Sequence, residues 1–585
     1  MLLALKPTDW TVDYFLKNKS DCMKDLENAD ALNEIPSLNS TNLDYLNDGQ
    51  LVHFRGMIQD MYNPEYFLQN YQVINEQTGK SSIRSGLLID RAHCESYEKI
   101  EFNSDSTVKS ERQVWIVISI PGLNDWAKES LKNRMPIDVQ STKSNVNKSS
   151  KRALDDSEEP MDCSEPQQKK EKALDNNAEV GSLYSMDKES KKPQLVSKDY
   201  LLNFPIPDKD GKICIVKVYQ NMPYKLNQVI DIIGFLSLDP TLSEIYDSPN
   251  MTELEQQIHH PPASIVPRLH AIKIIDEKSK YIVEQTNIFS KAECIREDLR
   301  RVLSQILFGD QVAADYLICH LISSVYLRQP SLSLGAFSIN ITNFPMKYKD
   351  FSKDLYEILR QIVEKSHLID MTLGNLNNMC FLPKKDYECD RLTSGILQLS
   401  KNTHLIIDET GLTAGQVTAC GRQNYNTIND LIIFQKLPYD FKYYTMDHET
   451  DIPVLILSES KSFVSCRQQI VLKPDPETVK LYPHVLEAAK QYLKDENRLT
   501  DIRQYISTLK HAKFDFTEET SEVIQDDFVR LRHIYKKFTP DDLHSLMVLS
   551  RLMSLSHGLN VLKPDMWKRS LKLEMERLNR LSRRR

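Results

Sequence analysis

Between Gly49 and Ile275 the apolar positions fall in short blocks rich in β-branched and aromatic residues, separated by turn formers. The run Leu51-Val52-His53-Phe54-Arg55-Gly56-Met57-Ile58-Gln59-Asp60-Met61 predicts a strand that bends or bulges at Gly56. Further strands are predicted from Ser82 to Asp90, over 113–120 before Pro121-Gly122, over 212–219, over 228–238 before Asp239-Pro240, and from Ile265 to Ile275. Five or six strands interrupted by one long insert suit a small Greek-key barrel of OB type, with a β-sandwich as the alternative. Ahead of them, Trp10, Tyr14, Phe15 and Leu16 form a short amphipathic piece that predicts helix followed by loop.

From Ile295 the period becomes helical, with Leu299, Val302, Leu303, Ile306 and Leu307 on the same face. Gly309-Asp310 ends that helix and caps the next, predicted from Gln311 to Leu327. Downstream, strands are predicted from Ala336 to Ile341, up to Asp408, and from Ile452 to Leu457. They alternate with helices from Leu355 to Lys365 and from Asn426 to Phe434. Alternation of this kind predicts an α/β layer with a largely parallel sheet. Beyond Pro474 and Pro476 the patterns are helical, ending in Arg583-Arg584-Arg585. The expected organisation is an N-terminal segment 1–46, a barrel domain 47–280 with a polar insert at about 135–198, an α/β domain 285–475 and a helical domain 476–585.

Composition narrows the classes. At 585 residues the chain exceeds one hydrophobic core, and 41% hydrophobic with 27% charged residues is ordinary for folded domains. A formal net charge of -8 gives no overall electrostatic reason to coat nucleic acid. The ten cysteines include no C-x-x-C pair, and the plain expectation is reduced thiols without a zinc ribbon. No apolar run has the roughly 18 residues of a membrane span, and Lys6, Pro7 and Asp9 interrupt the apolar start, so a soluble protein made in the cytosol is expected. Within the insert, Lys151-Arg152 and Lys169, Lys170 and Lys172 have the spacing of a bipartite nuclear import signal, which predicts a nuclear protein.

The stretch with the most chemistry is Thr403-His404-Leu405-Ile406-Ile407-Asp408-Glu409-Thr410. An apolar strand ending in Asp-Glu is the form in which a P-loop ATPase presents one carboxylate to Mg²⁺ and a second to the attacking water. Such a site needs a glycine-rich cradle for the phosphates. The residues after the Ile341 strand, Thr342 to Asp350, contain no glycine, and Pro345 removes a donor; Lys347 and Lys349 supply charge without geometry. Asp408 and Glu409 are therefore expected to be vestigial, with no catalysis and no cofactor. His259, His260, His270 and His320 have no metal-ligand spacing. Lys217-Val218-Tyr219 would suit stacking of single-stranded bases, or equally core packing.

Leu307 to Tyr316, Leu392 to Leu399 followed by Leu405 to Glu409, and Thr539 to Arg551 resemble the ATPase module of the minichromosome maintenance (MCM) helicase subunits. The departures all fall on ATP chemistry. The phosphate loop is gone, Asp541 or Asp542 stands where a nucleotide-sensing Arg is expected, Ser458 lies near the place of a sensor Asn, and no trans-acting Arg follows Leu457. The runs Val52 to Met61 with Asn63-Pro64-Glu65, Cys214 to Pro240, Pro261 to Arg268, Thr393 to Leu399, Ile406 to Thr410 and Asp526 to Val529 are similar, in order, to the MCM-binding protein family. That resemblance implies an OB-like barrel, a degenerate AAA+-like α/β domain and a lid. It also implies a nuclear, non-enzymatic partner of MCM subunits that governs their assembly or release from chromatin in DNA replication, with effects on sister chromatid cohesion and cell division. The rival expectations are a single-stranded DNA-binding OB-fold and a nucleotide-sensing AAA+ ATPase.

Overall fold

Both faces of the first sheet are buried, which is why its strands read as nearly continuous apolar runs. In this computed structural model, residues 5–132, 197–239, 252–276, 285–329, 332–534 and 538–583 are described. The import-signal residues Lys151, Arg152, Lys169, Lys170 and Lys172 lie outside them. The chain is mixed α/β with several sheets.

The first sheet comprises β1 (Leu51–Asn75), β2 (Ser81–Ser85), β3 (Glu98–Glu101), β4 (Val108–Ile118), β5 (Ile213–Val218), β6 (Val229–Ser237) and β7 (Arg268–Asp276). Pairing runs β1, β4, β5, β7, β6 and returns to β1, so the ring of hydrogen bonds closes. Only β5 and β7 are parallel neighbours in that ring. One set of side chains, including Phe54, Ile58, Trp115, Val216 and Ile232, fills its first core. The alternate set, including Met57, Ile116, Ile118 and Ile215, packs on Leu202 and Phe204. N-terminal helices at Val12–Lys17, Lys19–Asp25 and Ala29–Glu34 bring Phe15, Cys22 and Leu26 to Leu51, Ile233 and Phe235.

β1 continues well past Met61, through Asn63-Pro64-Glu65. Pro64 is tolerated because the β1–β4 register shifts between Tyr62 and Glu65, leaving it out of the ladder. The nearest bulge to Gly56 lies between Ile58 and Asp60. Gly56 itself permits close strand approach, since a Cβ there would stand 2.6 Å from the Ile118 carbonyl oxygen.

The helix capped by Asp310 stops at Leu321, not Leu327, and is followed by a small hairpin, β8 (Leu327–Gln329) with β9 (Leu332–Leu334). The second large sheet contains β10 (Ile339–Thr342), β11 (Ser366–Asp370), β14 (His404–Asp408), β17 (Val454–Ser458) and β18 (Gln468–Val471). All are parallel, in the order β11-β14-β17-β10-β18. A third sheet, in the order β13-β12-β15-β16, uses β12 (Lys384–Asp386), β13 (Arg391–Thr393), β15 (Lys436–Asp440) and β16 (Thr445–Glu449). Helix Ala419–Phe434 begins seven residues ahead of its apolar period because the Thr418 hydroxyl accepts from the Gly421 N–H and caps a polar first turn.

The C-terminal helices share one core with the parallel sheet, where Ile339, Ile341 and Leu455 meet Leu499, Tyr505, Leu552 and Trp567. The one departure from an all-helical C-terminal part, among the described residues, is a short parallel pairing of Asp515–Phe516 with Val561–Leu562. Asp310 fastens these layers: its carboxylate accepts from Val312 and Ala313 N–H and from Lys473 N–H (2.8 Å), and pairs with Arg580 (2.6 Å). Arg577 and Arg580 also donate to the Gln469 and Val471 carbonyls (3.3 and 3.4 Å), covering the β18 edge.

At the opposite end of β14, Lys510 Nζ donates to Nε2 of His404 (3.0 Å), both fully buried. Burial pulls the Lys510 ammonium down to about 8 from an ordinary 10.5. The unfolded chain keeps this proton longer than the folded one, so stability rises with pH between about 8 and 10.5. Lys510→Met removes that rise. Urea unfolding across this range checks it, and parallel pH profiles for the two proteins would exclude the assignment.

Asp310→Ala leaves the Lys473, Val312 and Ala313 N–H groups without their carboxylate acceptor, while Arg580 keeps Glu576 (3.0 Å), and costs about 1–3 kcal/mol, read as a lower urea midpoint.

Candidate functional site

In open parallel sheets ligands bind beyond the carboxyl ends of the strands. Here Thr342 of β10 lies in register with Ser458 of β17, and Asp408 of β14 with Leu457, so Asp408, Glu409 and Ser458 come to one edge. The strand and its acidic exit are where the sequence places them. Both carboxylates are buried, Asp408 at 8% and Glu409 at 6% exposure.

Each accepts from neighbouring donors. Asp408 Oδ1 accepts from the Thr410 N–H (2.9 Å) and hydroxyl (2.7 Å), closing a local turn. Glu409 accepts from the Ser462 hydroxyl (2.9 Å) and from the N–H groups of Phe463 (3.0 Å) and Val464 (3.5 Å). It thereby anchors the loop that leaves β17. Burial pushes the Glu409 carboxyl above the usual range even against these donors. The Ser458 hydroxyl donates to Oδ1 of Asn340 (3.0 Å) inside the sheet.

Where a phosphate cradle would follow β10, aromatic rings stand instead. Asn343 takes a left-handed turn (φ 66) and its side-chain amide donates to the Leu472 carbonyl (2.9 Å). Phe344 packs on Phe351 (4.9 Å between ring centres), Phe351 on Phe308 (5.2 Å), Phe308 on Tyr482 (4.3 Å) and Tyr482 on Tyr348 (4.8 Å). Lys347 lies over the Tyr348 ring at 5.6 Å. Asp350 precedes helix Phe351–Ile362 without making a capping bond. Its charge disfavours an anion at that helix start.

The acids at the start of helix Pro540–Ser556 are likewise paired. Asp542 completes a capping box with Thr539, and Asp541 pairs with Arg467 at 2.7 Å. Asp408 and Glu409 at the strand end thus both accept from donors of their adjoining loops.

The run Leu392 to Leu399 has a role the sequence did not reveal, as the seat of the first sheet. Asp60 accepts from the Leu392 N–H (2.8 Å) and the Met61 N–H (2.8 Å), while the Gln398 amide donates to the Gln59 carbonyl (2.9 Å). Asn203 donates to the Leu392 carbonyl (2.7 Å) and accepts from the Ser394 N–H (3.0 Å). The partners are hundreds of residues apart, so no local pattern signals them.

Lys217 and Tyr219 are occupied inside the protein. Lys217 is buried and paired with Glu65, which also accepts from Arg112 (2.7 Å). Tyr219 hydroxyl bonds Nδ1 of His270 (2.7 Å) and the Leu88 N–H (3.0 Å). Burial pushes the Glu65 carboxyl upward, but Lys217 and Arg112 outweigh it and hold the group below the usual range. His320, buried, bonds the Phe337 carbonyl at 2.8 Å, and burial lowers its pKa to about 4. Among the described residues no group of three or more His, Cys, Asp or Glu is arranged to hold a metal.

The family model described as mini-chromosome maintenance replisome factor matches residues 22–581. The chain is 37% identical to a mini-chromosome maintenance complex-binding protein of Drosophila melanogaster, over 96% of this chain and 95% of that one. It is 33% identical to the protein of the same name from Danio rerio and 34% identical to that from Homo sapiens, each over 98% of this chain and 94% of the relative.

Glu409→Ala leaves the Ser462 hydroxyl and the Phe463 N–H without their acceptor, the Val464 N–H keeping the Ser462 oxygen (3.1 Å), and lowers stability by about 1–3 kcal/mol, seen as a shifted urea midpoint. Saturating Mg-ATP leaves the melting temperature of the wild-type chain unchanged. A ligand-induced rise that disappears in Asp408→Ala would contradict this account.

Proposed function

The chain belongs to the mini-chromosome maintenance replisome factor family, and from that premise we propose that it is a nuclear, non-catalytic binding partner of MCM helicase subunits. The names of the full-length relatives support the choice of partner. The observation that carries the non-catalytic part is the occupied ATP position, where aromatic rings stand in place of a cradle and Asp408 and Glu409 are bonded internally. In this reading the closed ring of β1, β4, β5, β7 and β6 is an OB-type barrel. The five parallel strands are a degenerate AAA+-like layer, and the helices beyond 476 are its lid.

A chain shaped like a helicase subunit can occupy a head-to-tail interface between subunits. Lacking a phosphate loop and a trans-acting Arg, it completes no ATP site there, and the joint it forms is releasable. It would regulate assembly of the MCM complex or its dissociation from chromatin during DNA replication, with consequences for sister chromatid cohesion and cell division. Chromatin association would be indirect, through the subunits. Lys151, Arg152, Lys169, Lys170 and Lys172 would serve nuclear import. No cofactor is required.

Purified full-length chain is expected to bind at least one purified MCM subunit and to release no phosphate from ATP above a no-enzyme control. Failure to bind any subunit, or hydrolysis abolished by Asp408→Ala, would overturn the proposal. A fluorescent fusion with the five import residues changed to alanine is expected to lose nuclear accumulation, and unchanged accumulation would remove that assignment.

A further inference from the structure

A strand at the edge of a sheet exposes main-chain donors and acceptors that are either covered, blunted or used. In the parallel sheet β18 is covered by Arg577 and Arg580, and β11 by the stretch after β4, where Ser366 N–H donates to the Gly122 carbonyl (2.8 Å). The edge strand β16 is treated differently.

Phe441 N–H donates to the Tyr444 carbonyl (3.0 Å) at one end of the β15–β16 hairpin, and Thr450 N–H to the Gln435 carbonyl (2.9 Å) at the other. Antiparallel pairs alternate, so Tyr439 with Met446 and Leu437 with His448 exchange the ladder bonds between these limits. The main-chain groups of Thr445, Asp447 and Glu449 therefore point away from β15. Pro438, opposite Asp447, fits the same alternation, because its missing N–H is not one the hairpin needs. Thr445, Asp447 and Glu449 are exposed, and no partner for their outward main-chain groups occurs among the described residues.

The flanks of this edge have a definite chemistry. Asp447 and Glu449 lie on the strand, Asp430 from helix Ala419–Phe434 faces Asp447, and Lys436 answers both Asp447, at 3.8 Å, and Asp430. Exposed apolar side chains belong to the same hairpin: Met446 on the strand and Tyr443, 80% exposed, in the turn. The turn is held in shape by the stacked rings of Phe441 and Tyr444 (5.0 Å, 5°) and by the Tyr387 hydroxyl donating to the Phe441 carbonyl (2.9 Å). Tyrosine and methionine anchors beside an open edge are the composition of a protein interface.

We propose that an MCM subunit docks on the outer edge of β16 by laying an extended segment of alternating apolar and basic residues against it as an added strand. This rests on the partner reading given above. Main-chain bonds to Thr445, Asp447 and Glu449 supply affinity, and basic side chains meeting Asp447, Glu449 and Asp430 supply selectivity. The same carboxylates repel a nucleic-acid backbone along this edge.

Asp447→Pro removes an outward donor while leaving the β15–β16 ladder intact. The double substitution Asp447→Lys with Glu449→Lys reverses the flanking charge without altering the main chain. Purified individual MCM subunits are titrated against full-length wild-type and variant chains, and hydrogen exchange is followed over residues 443–450. The proposal predicts protection of these amides on binding, and an affinity loss of about tenfold or more in both variants with unchanged melting temperature. Binding of the wild type without protection at β16, or with equal affinity in the charge-reversed chain, overturns the docking site and leaves the partner reading standing. If the wild type binds no subunit, both fall. Protection of this edge by a single-stranded oligonucleotide, and by no subunit, also overturns the proposal.

Discussion

A carboxylate taken out of water must find donors, and Asp60, 5% exposed, finds the main-chain N–H groups of Leu392 and Met61. Much of the contact between the first sheet and the α/β part is arranged around that requirement. Once Asp60 is seated, Gln59 is in reach of Gln398, and Asn203 can bridge Leu392 and Ser394 from the other side. Gly395 lets the seat form, because a Cβ there would come within 2.6 Å of the Phe381 carbonyl oxygen. Tyr439 and Asn227 (2.9 Å) close the seam at a second point. The described residues accordingly fall in one compact unit although the sequence changes texture between them.

At the carboxyl ends of the parallel strands the protein's own groups take up the polar and the apolar space. Charge at the strand ends is neutralised by hydroxyl and amide donors of adjoining loops, and the volume after β10 is filled by rings. Such replacement converts groups that would reorganise around a ligand into fixed parts of the core. Asp541 and Asp542 are paired in the same way, with Arg467 and Thr539.

The hydrophobic pattern made the order of the main elements legible. The strands at Leu51, Gln113, Lys212 and Gln228, the parallel strands ending at Ile341, Asp408 and Leu457, and the helix period from Ile295 all correspond to observed elements. The short strands β11, β12, β13 and β18 were not legible, because three to five residues carry too little periodicity and are fixed by neighbours instead. Helix Ala419–Phe434 was cut short in the sequence for the related reason that its first turns depend on the Thr418 cap rather than on apolar spacing. At the candidate site the missing glycines were visible directly, but the bonds of Glu409 to residues 462–464 were not, since acceptor and donors are 53 to 55 residues apart. The cluster of half-buried Glu65 with buried Arg112 and Lys217 was hidden in the same way, each residue looking like an ordinary surface charge on its own strand.

The arginines of the last helix give the chain a temporal asymmetry. Arg577 and Arg580 reach carbonyls of β18 that precede them by 108 and 109 residues, so during synthesis that strand leaves the ribosome long before its cover exists. Until the final turns of helix Pro564–Arg583 emerge, the half-made sheet offers an open edge to any passing strand. Emergence of this helix is therefore the step that closes the edge, and a chain truncated within it is expected to expose β18.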